Sequence, residues 1–339
     1  MVDQHAQRVF SGIQPTGSLH IGNYIGAVQQ FVDMQYRESC FFCIADMHAL
    51  TVKYDAVSLK QSVYDTVCLF LACGINPNKA TIFIQSHVSA HAELAWILSC
   101  VARIGWLNRM TQFKEKAGKN AENVSVGLYT YPVLMAADVL AYKATDIPVG
   151  DDQIQHVELI RDIVARFNQS CGKNVFPSPK PIVSSVARIM SLRDGTSKMS
   201  KSDPSDYSRI NLLDSPDLIE KKIRKAKTDS GYLPESIGGL EGRPEAENLL
   251  RIYSFFTGLS IEDAIVEFLG LSFSVLKDKL VEVVIEKISP VRQEFIKLHD
   301  DINYIDSVIG DGAISAGNVA CKVLSEVYDV VGVGSLRRG

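Results

Sequence analysis

The first half of the chain alternates short β-rich runs with stretches of helical periodicity, and this alternation restricts the fold more than any other feature. Arg8–Ile13, Cys40–Ile44 and Thr81–Gln85 read as strands, and a fourth ends at Val149. Helical patterning fills the gaps over Leu19–Gln35, Ser58–Cys73, from His91 onward and around Tyr131–Tyr142, with a further helix over Gln153–Phe167. Strands joined through helices pair in parallel, because each crossover returns the chain to the same end of the sheet, and the helices then cover both faces. The fold class expected is α/β: a Rossmann-like doubly wound parallel sheet that receives ligands at the carboxyl ends of its strands.

The second half reads differently. Asp194-Gly195-Thr196-Ser197 through Asp203-Pro204-Ser205 breaks the pattern as a flexible stretch, and the sequence beyond it is helical. Ser215-Pro216 is a cap followed by a first-turn proline, and Phe273, Leu276, Leu280, Val283 and Val284 share one helix face. The organisation expected is a catalytic domain over 1–202, a C-terminal helical domain over 203–290, and helices over 291–339 that return to the first domain. Gly231–Arg243, with four glycines and a proline, reads as a loop.

Composition removes several functional classes. With 46% hydrophobic and 22% charged residues the chain can bury a sizeable core. No apolar run approaches the ~20 residues needed to span a bilayer, and Met1–His5 has no basic-then-apolar leader, so a cytoplasmic protein without membrane attachment is expected. A net charge of −4 argues against a uniformly basic nucleic-acid binder. Any RNA contact must be local, and Lys221, Lys222, Arg224, Lys225 and Lys227 are the one dense basic run. Such a run is commonly just a solvated helix face. Cys40 and Cys43 have C-x-x-C spacing, but no second pair completes a tetrahedral site, and residues three apart on a strand face opposite ways. No metal site is expected.

Two segments carry the chemistry. Gly17-Ser18-Leu19-His20-Ile21-Gly22-Asn23 follows the first strand, without the Lys-Ser/Thr of a P-loop or the G-x-G-x-x-G of a dinucleotide fold. What remains is a turn and a helix start bearing His20 and Asn23 on one face, where free N–H groups and the helix dipole favour an anion. Gly22 permits a flat ring to approach the backbone. Far downstream, Lys198-Met199-Ser200-Lys201-Ser202 places two ammonium groups and two hydroxyls on a loop, suited to closing over a triphosphate and neutralising departing pyrophosphate.

Taken together, these segments resemble the two signatures of class I aminoacyl-tRNA synthetases. His20-Ile21-Gly22-Asn23 is similar to the HIGH motif with Asn for the second His, and Lys198–Ser202 matches KMSKS letter for letter. The Asn departure, together with Phe10–Gly17, Met110–Lys116, Tyr131–Leu140, Gly150–Gln153 and Ala187–Ser191, resembles the tryptophan branch of that family from about residue 8 onward. The resemblance implies activation of L-tryptophan by ATP to an adenylate and pyrophosphate, then transfer of the acyl group to the terminal adenosine of tRNA(Trp). It also implies a homodimer, with Mg²⁺ carried on the nucleotide and no structural metal.

The resemblance further assigns roles. His20, Asn23, Lys198 and Lys201 would be catalytic. ATP would be held by Gln14, Pro15, Thr16, Gly22, Asn23, Lys116, Gly150, Asp151, Asp152, Ile189, Lys198, Met199, Ser200, Lys201 and Ser202. Ile189 and Met199 would touch adenine. Tryptophan would be held by Asp138, Tyr131, Met135, Gln153, Phe10, Gly12 and His48. Tyr131, Met135 and Asp138 stand at i, i+4 and i+7, on one helix face. A carboxylate in so apolar a helix needs a donor; the family supplies the indole N–H, a charge-assisted bond contributing ~1.5–3 kcal/mol. Phenylalanine would leave the carboxylate unpaired. Alternative readings are the tyrosine branch, separable by amino-acid-dependent pyrophosphate exchange; a small-molecule nucleotidylyltransferase, disfavoured by the helical half; and a silent RNA-binding relative, disfavoured by intact His20, Asn23, Lys198 and Lys201.

Overall fold

The computed structural model describes residues 7–15, 17, 19–113, 124–183 and 188–334. Five strands, β1 (Arg8–Ile13), β2 (Ser39–Ile44), β3 (Ala80–Ile84), β4 (Asp146–Val149) and β5 (Lys180–Val183), form a parallel sheet in the order β3-β2-β1-β4-β5. The order reverses between β1 and β4. Two crossovers diverge there and leave a crevice at the carboxyl edge. β5 has no counterpart in the sequence reading; it is a four-residue edge strand carrying Pro181, where a missing N–H costs no internal ladder bond.

Side-chain alternation along the strands divides the core. Val9 and Phe42 point into one apolar cluster, and Phe10 and Phe41 into the other. Cys40 and Cys43 follow the same rule. Each is a free, buried thiol on its own side of the sheet, and burial pushes both up, Cys40 to about 12. The second cluster lies under the helices Ala90–Ser99, Val126–Leu140 and Ile154–Cys171; the first takes in the helix Ala56–Ala72 and the helical half.

The helix after β1 is interrupted: α-helical at Ile21–Asn23, a π-helical turn over Tyr24–Val28, then α-helical again at Gln29–Met34. A π turn adds a residue and rotates the register of everything beyond it, and such turns often occur at functional sites.

The helical half comprises Pro216–Arg224, Pro244–Thr257, Ile261–Glu267 and Phe273–Asp300. The last of these runs straight through Pro290, so a boundary drawn at 290 falls inside a helix. The C-terminal helix, Ile302–Val331, then passes around the free edge of β3. Ile305 and Ile309 pack in the first cluster, and Ala316, Ala320, Val323 and Val327 in the second. Gly312, between them, lies so close to β3 that a Cβ there would sit 1.8 Å from the Ile82 carbonyl oxygen. The helix covers the sheet edge that would otherwise offer its backbone for pairing.

The dense basic run does not form one positive face. Lys222 is fully buried, its Nζ 2.6 Å from Asp214 and 2.8 Å from Asp206. Arg224 pairs with Glu220 and Asp278, Lys227 pairs with Glu245, and Lys225 lies over the Tyr207 ring. Lys221 is left exposed. Sequence spacing placed these cations together; acidic residues from other elements compensate most of them.

Candidate active site

A cavity of about 420 Å³ opens in the crevice between β1 and β4. One wall is the end of β1 and the residues after it (Phe10, Gly12, Gln14); the opposite wall is the end of β4 and its turn (Val149, Gly150, Gln153). The helix Val126–Leu140 contributes Tyr131, Met135 and Asp138, and the short helix Asp46–Ala49 contributes His48. All seven residues expected to surround an amino acid therefore line one space. The interrupted helix adds Asn23, Gly26, Ala27 and Gln30. Gly26, Ala27 and Gln30 were not foreseen, since no local sequence signal marks a π turn.

Asp138 is buried at 3% exposure, and it is not waiting for a donor. Its Oδ1 accepts from Gln85 Nε2 at 2.7 Å and from His91 Nδ1 at 2.7 Å, and its Oδ2 accepts from His48 Nε2 at 2.7 Å. Burial pushes the carboxyl up, but the charge and hydrogen bond of His48, then those of His91, outweigh this and hold it far below the usual carboxylate range. The expectation that a substrate without an indole N–H leaves this group unpaired is therefore corrected: three side-chain donors already pair it. Gln85, His91 and Tyr142, all fully buried, were missed by the sequence reading. The available signal was polarity inside apolar runs, at the end of β3 and within Ala90–Ser99.

Tyr131 bonds through its hydroxyl to His156 Nε2 at 2.9 Å and to Gln112 Oε1 at 3.3 Å. Gln153 donates its amide to Asp152 at 2.7 Å, leaving its amide oxygen as an acceptor.

At the helix start, His20 and Asn23 cap each other. His20 Nδ1 accepts from the Asn23 N–H at 3.3 Å, and Asn23 Oδ1 accepts from the His20 N–H at 3.2 Å. The cap fixes the imidazole proton on Nε2, so His20 Nε2 and Asn23 Nδ2 are the donors available to an anion. His20 is buried at 3% exposure. Burial first, then Lys201, Arg209 and Lys198, lower its pKa to about 3, so the ring is neutral. The flat ring that needs Gly22 is His20 itself: a Cβ at position 22 would meet the imidazole at 3.0 Å.

The Lys198–Ser202 segment follows a stretch of backbone that is tied to its surroundings. Ser191 N–H donates to Ser197 O at 2.8 Å and Met199 N–H to Ile189 O at 3.1 Å, pairing the two arms of a loop. Asn248 clamps the Met190 backbone through both amide atoms, at 2.8 and 2.9 Å, and Gly195 sits where a Cβ would strike the Pro244–Glu245 backbone at 2.6 Å. The helical half thereby holds the loop over the crevice. Lys201 lines the cavity and reaches the Gly17 carbonyl at 3.4 Å; burial lowers its pKa to about 8.

Other expected nucleotide contacts stand off the cavity wall. Lys198 lies 3.7 Å from Asp152 and Arg188 2.7 Å from Asp151, so both aspartates face cations. Ser200 and Ser202 bond to each other at 2.9 Å. Ile189 and Met199 are buried in the first cluster at 5% and 2% exposure, so their side chains present no open surface to a base. Pro15 is buried. Thr16 and Lys116 lie outside the described residues. Among the described residues, no group of three or more His, Cys, Asp or Glu is placed to hold a metal ion.

Residues 3–284 match the family described as tRNA synthetases class I (W and Y). The tryptophan–tRNA ligase of Brucella melitensis is 53% identical, over 96% of this chain and 97% of its own. Tryptophanyl-tRNA synthetase from Mycoplasma pneumoniae superposes with a TM-score of 0.86 at 32% identity, covering 98% of this chain and 99% of that one. The enzyme from Campylobacter jejuni, solved with ADP and tryptophan, gives 0.81 at 33% identity over 96% of this chain and 100% of that one.

Proposed function

This chain belongs to the class I tRNA synthetases of the tryptophan and tyrosine group, and we propose from its site how its residues carry out the family's reaction on tryptophan. The activity is ATP-dependent ligation of tryptophan to tRNA. The observation that carries the residue assignment is the single cavity where a buried, ionised Asp138 faces a capped helix start and Lys201.

Tryptophan lies with its ring between Phe10, Gly12 and Met135, its indole N–H on Asp138 and its α-ammonium on Tyr131 and the Gln153 amide oxygen. ATP lies along Gln14, Pro15, Thr16, Gly22 and Asn23, with its ribose on the Gly150–Asp152 turn. The adenine packs on the backbone of Ile189 and Met199, since both side chains are committed to the core. The substrate carboxylate attacks the α-phosphorus; the new acyl–phosphate bond forms as the bond to the bridging β-oxygen breaks, and pyrophosphate leaves. Side chains take no covalent part in this step. Neutral His20 donates through Nε2 and Asn23 through Nδ2, while Lys116, Lys198 and Lys201 neutralise the charge on the leaving group. On closure of the loop, Ser200 and Ser202 exchange their mutual hydrogen bond for the same oxygens. Mg²⁺ arrives on the triphosphate as part of the substrate, as its preference for phosphate oxygens and water suggests. A ribose hydroxyl of the tRNA's terminal adenosine then attacks the acyl carbon, and AMP departs.

The helical region 203–290 contacts tRNA, with Lys221 and Lys225 rather than Lys222 facing its backbone. Two copies act as a homodimer in the cytoplasm, where tRNA and ATP are available. No helix among the described residues is long and apolar enough to cross a membrane. The test is pyrophosphate exchange into ATP with tryptophan, tyrosine or phenylalanine supplied singly, for the wild type and Asp138→Ala. Exchange with tryptophan alone, largely lost in the variant, is expected; tryptophan-specific exchange that survives in Asp138→Ala would overturn the role given to Asp138.

A further inference from the structure

Behind the cavity, the partners of Asp138 fall into two groups. His48 binds Oδ2 and lines the cavity; Gln85 and His91 bind Oδ1, are wholly buried, and do not line it. The carboxylate is therefore oriented with Oδ1 toward the protein interior and Oδ2 toward the substrate. A carboxylate oxygen has two acceptor positions. Both positions on Oδ1 are filled, whereas Oδ2 has one partner among the described residues and one position left.

The two interior donors are themselves fixed. Gln85 Oε1 accepts the Met47 backbone N–H at 3.1 Å, which obliges the amide to turn its NH₂ toward Asp138. His91 Nε2 lies 2.8 Å from the Tyr142 hydroxyl, which burial keeps protonated. Nδ1 carries a proton in either charge state of the ring, because the ionised Asp138 Oδ1 it faces can only accept. Phe41 stacks on Tyr142 at 4.6 Å and Phe10 at 5.5 Å, which closes the back of the network in apolar packing.

We propose that His91, held by Tyr142 and seconded by Gln85, is a specificity-positioning residue: it saturates Oδ1 and so presents the one remaining acceptor of Asp138 to a ring N–H. Since Asp138 is never unpaired, discrimination rests on where its last acceptor points rather than on the cost of orphaning the carboxylate. This rests on the reading of Asp138 as the group that binds the indole N–H, and the test separates the two.

The test uses two substrates, tryptophan and 3-(benzothiophen-3-yl)alanine, in which sulfur replaces the ring N–H at similar size. Amino-acid-dependent pyrophosphate exchange gives kcat/KM for each with wild type, Asp138→Ala, His91→Leu and His91→Asn; the Asn amide can occupy the place of Nδ1–H. The wild type is expected to prefer tryptophan by roughly 10- to 100-fold, the value of one hydrogen bond to a charged acceptor. In His91→Leu that ratio is expected to shrink toward that of Asp138→Ala, through a higher KM for tryptophan and little change for the sulfur analogue. His91→Asn is expected to restore it. A general loss of packing would depress both substrates alike and leave the ratio standing, and that result overturns the proposal. A wild type with no preference for the N–H overturns instead the underlying reading of Asp138. If His91→Leu does not fold, the ratio in His91→Asn against Tyr142→Phe decides: a normal ratio in the first and a reduced one in the second supports positioning, and equal ratios in both refute it.

Discussion

Replacing Lys222 by methionine tests how the start of the helical half is held. The ammonium has no solvent exposure and sits between Asp214, whose side chain is 6% exposed, and Asp206, at 49%. Removing one partner of a buried pair costs about 3–5 kcal/mol, because the other charge is left in a medium that solvates it poorly. Two features move the expectation to the lower end. Asp206 is half in water and is resolvated cheaply, and Asp214 keeps the Asn211 backbone N–H at 2.8 Å and the Asn211 amide at 3.3 Å. Lys222→Met should therefore cost about 3 kcal/mol, with Lys222→Met/Asp214→Asn recovering roughly half because the uncompensated charge is gone. Urea unfolding followed by circular dichroism measures this, with exposed Lys221→Ala as a control expected within ~0.5 kcal/mol of wild type. Below the unfolding range, Lys222→Met should leave the salt dependence of tRNA affinity unchanged, since no phosphate reaches a fully buried ammonium. A variant within ~1 kcal/mol of wild type, or one with a shallower salt slope, would refute the reasoning.

Burial lowers Lys201 to about 8, so its charge is present below that pH and lost above it. kcat/KM for ATP, which reports the free enzyme, should fall as pH rises through about 8, and Lys201→Arg should move that limb upward; an unmoved limb would show that another group titrates. Gly312→Ala drives a methyl into the Ile82 carbonyl at 1.8 Å, a contact with backbone that cannot rotate away. A loss of at least ~3 kcal/mol in thermal or urea unfolding is expected, and an unchanged midpoint would mean the helix does not seat on β3 as described.

Legibility in the sequence followed the range of the forces involved. The strand signals of β1 to β4 and the His20–Asn23 helix start are local patterns, and the sheet order that follows places Phe10, Gly12, Gln153 and Asp138 around one crevice. β5 was invisible because it is an edge strand with no fully buried residue, so its four residues show neither an apolar run nor an alternation. The partners of Asp138 were invisible for a different reason. Gln85 lies 53 positions away and His91 47, so their meeting depends on the packing of β3 and Ala90–Ser99 against Val126–Leu140. The basic run failed in the opposite direction: adjacency along the chain suggested a shared face, while Asp206, Asp214, Glu245 and Asp278 converge on it from other elements.

The helix that wraps the β3 edge has a consequence during synthesis. β3 ends at Ile84, and its cover begins at Ile302. At ~5–20 residues per second, roughly 220 residues of translation leave that edge open on the ribosome for about 10–40 s. Over that interval β1, β2 and β3 have all emerged, with an unpaired backbone beside Phe83 and Ile82, a template for any neighbouring nascent chain. A premature stop anywhere before Ile302 makes that state permanent, so truncated products of this chain are expected to engage chaperones or aggregate even when every residue of the crevice has been made.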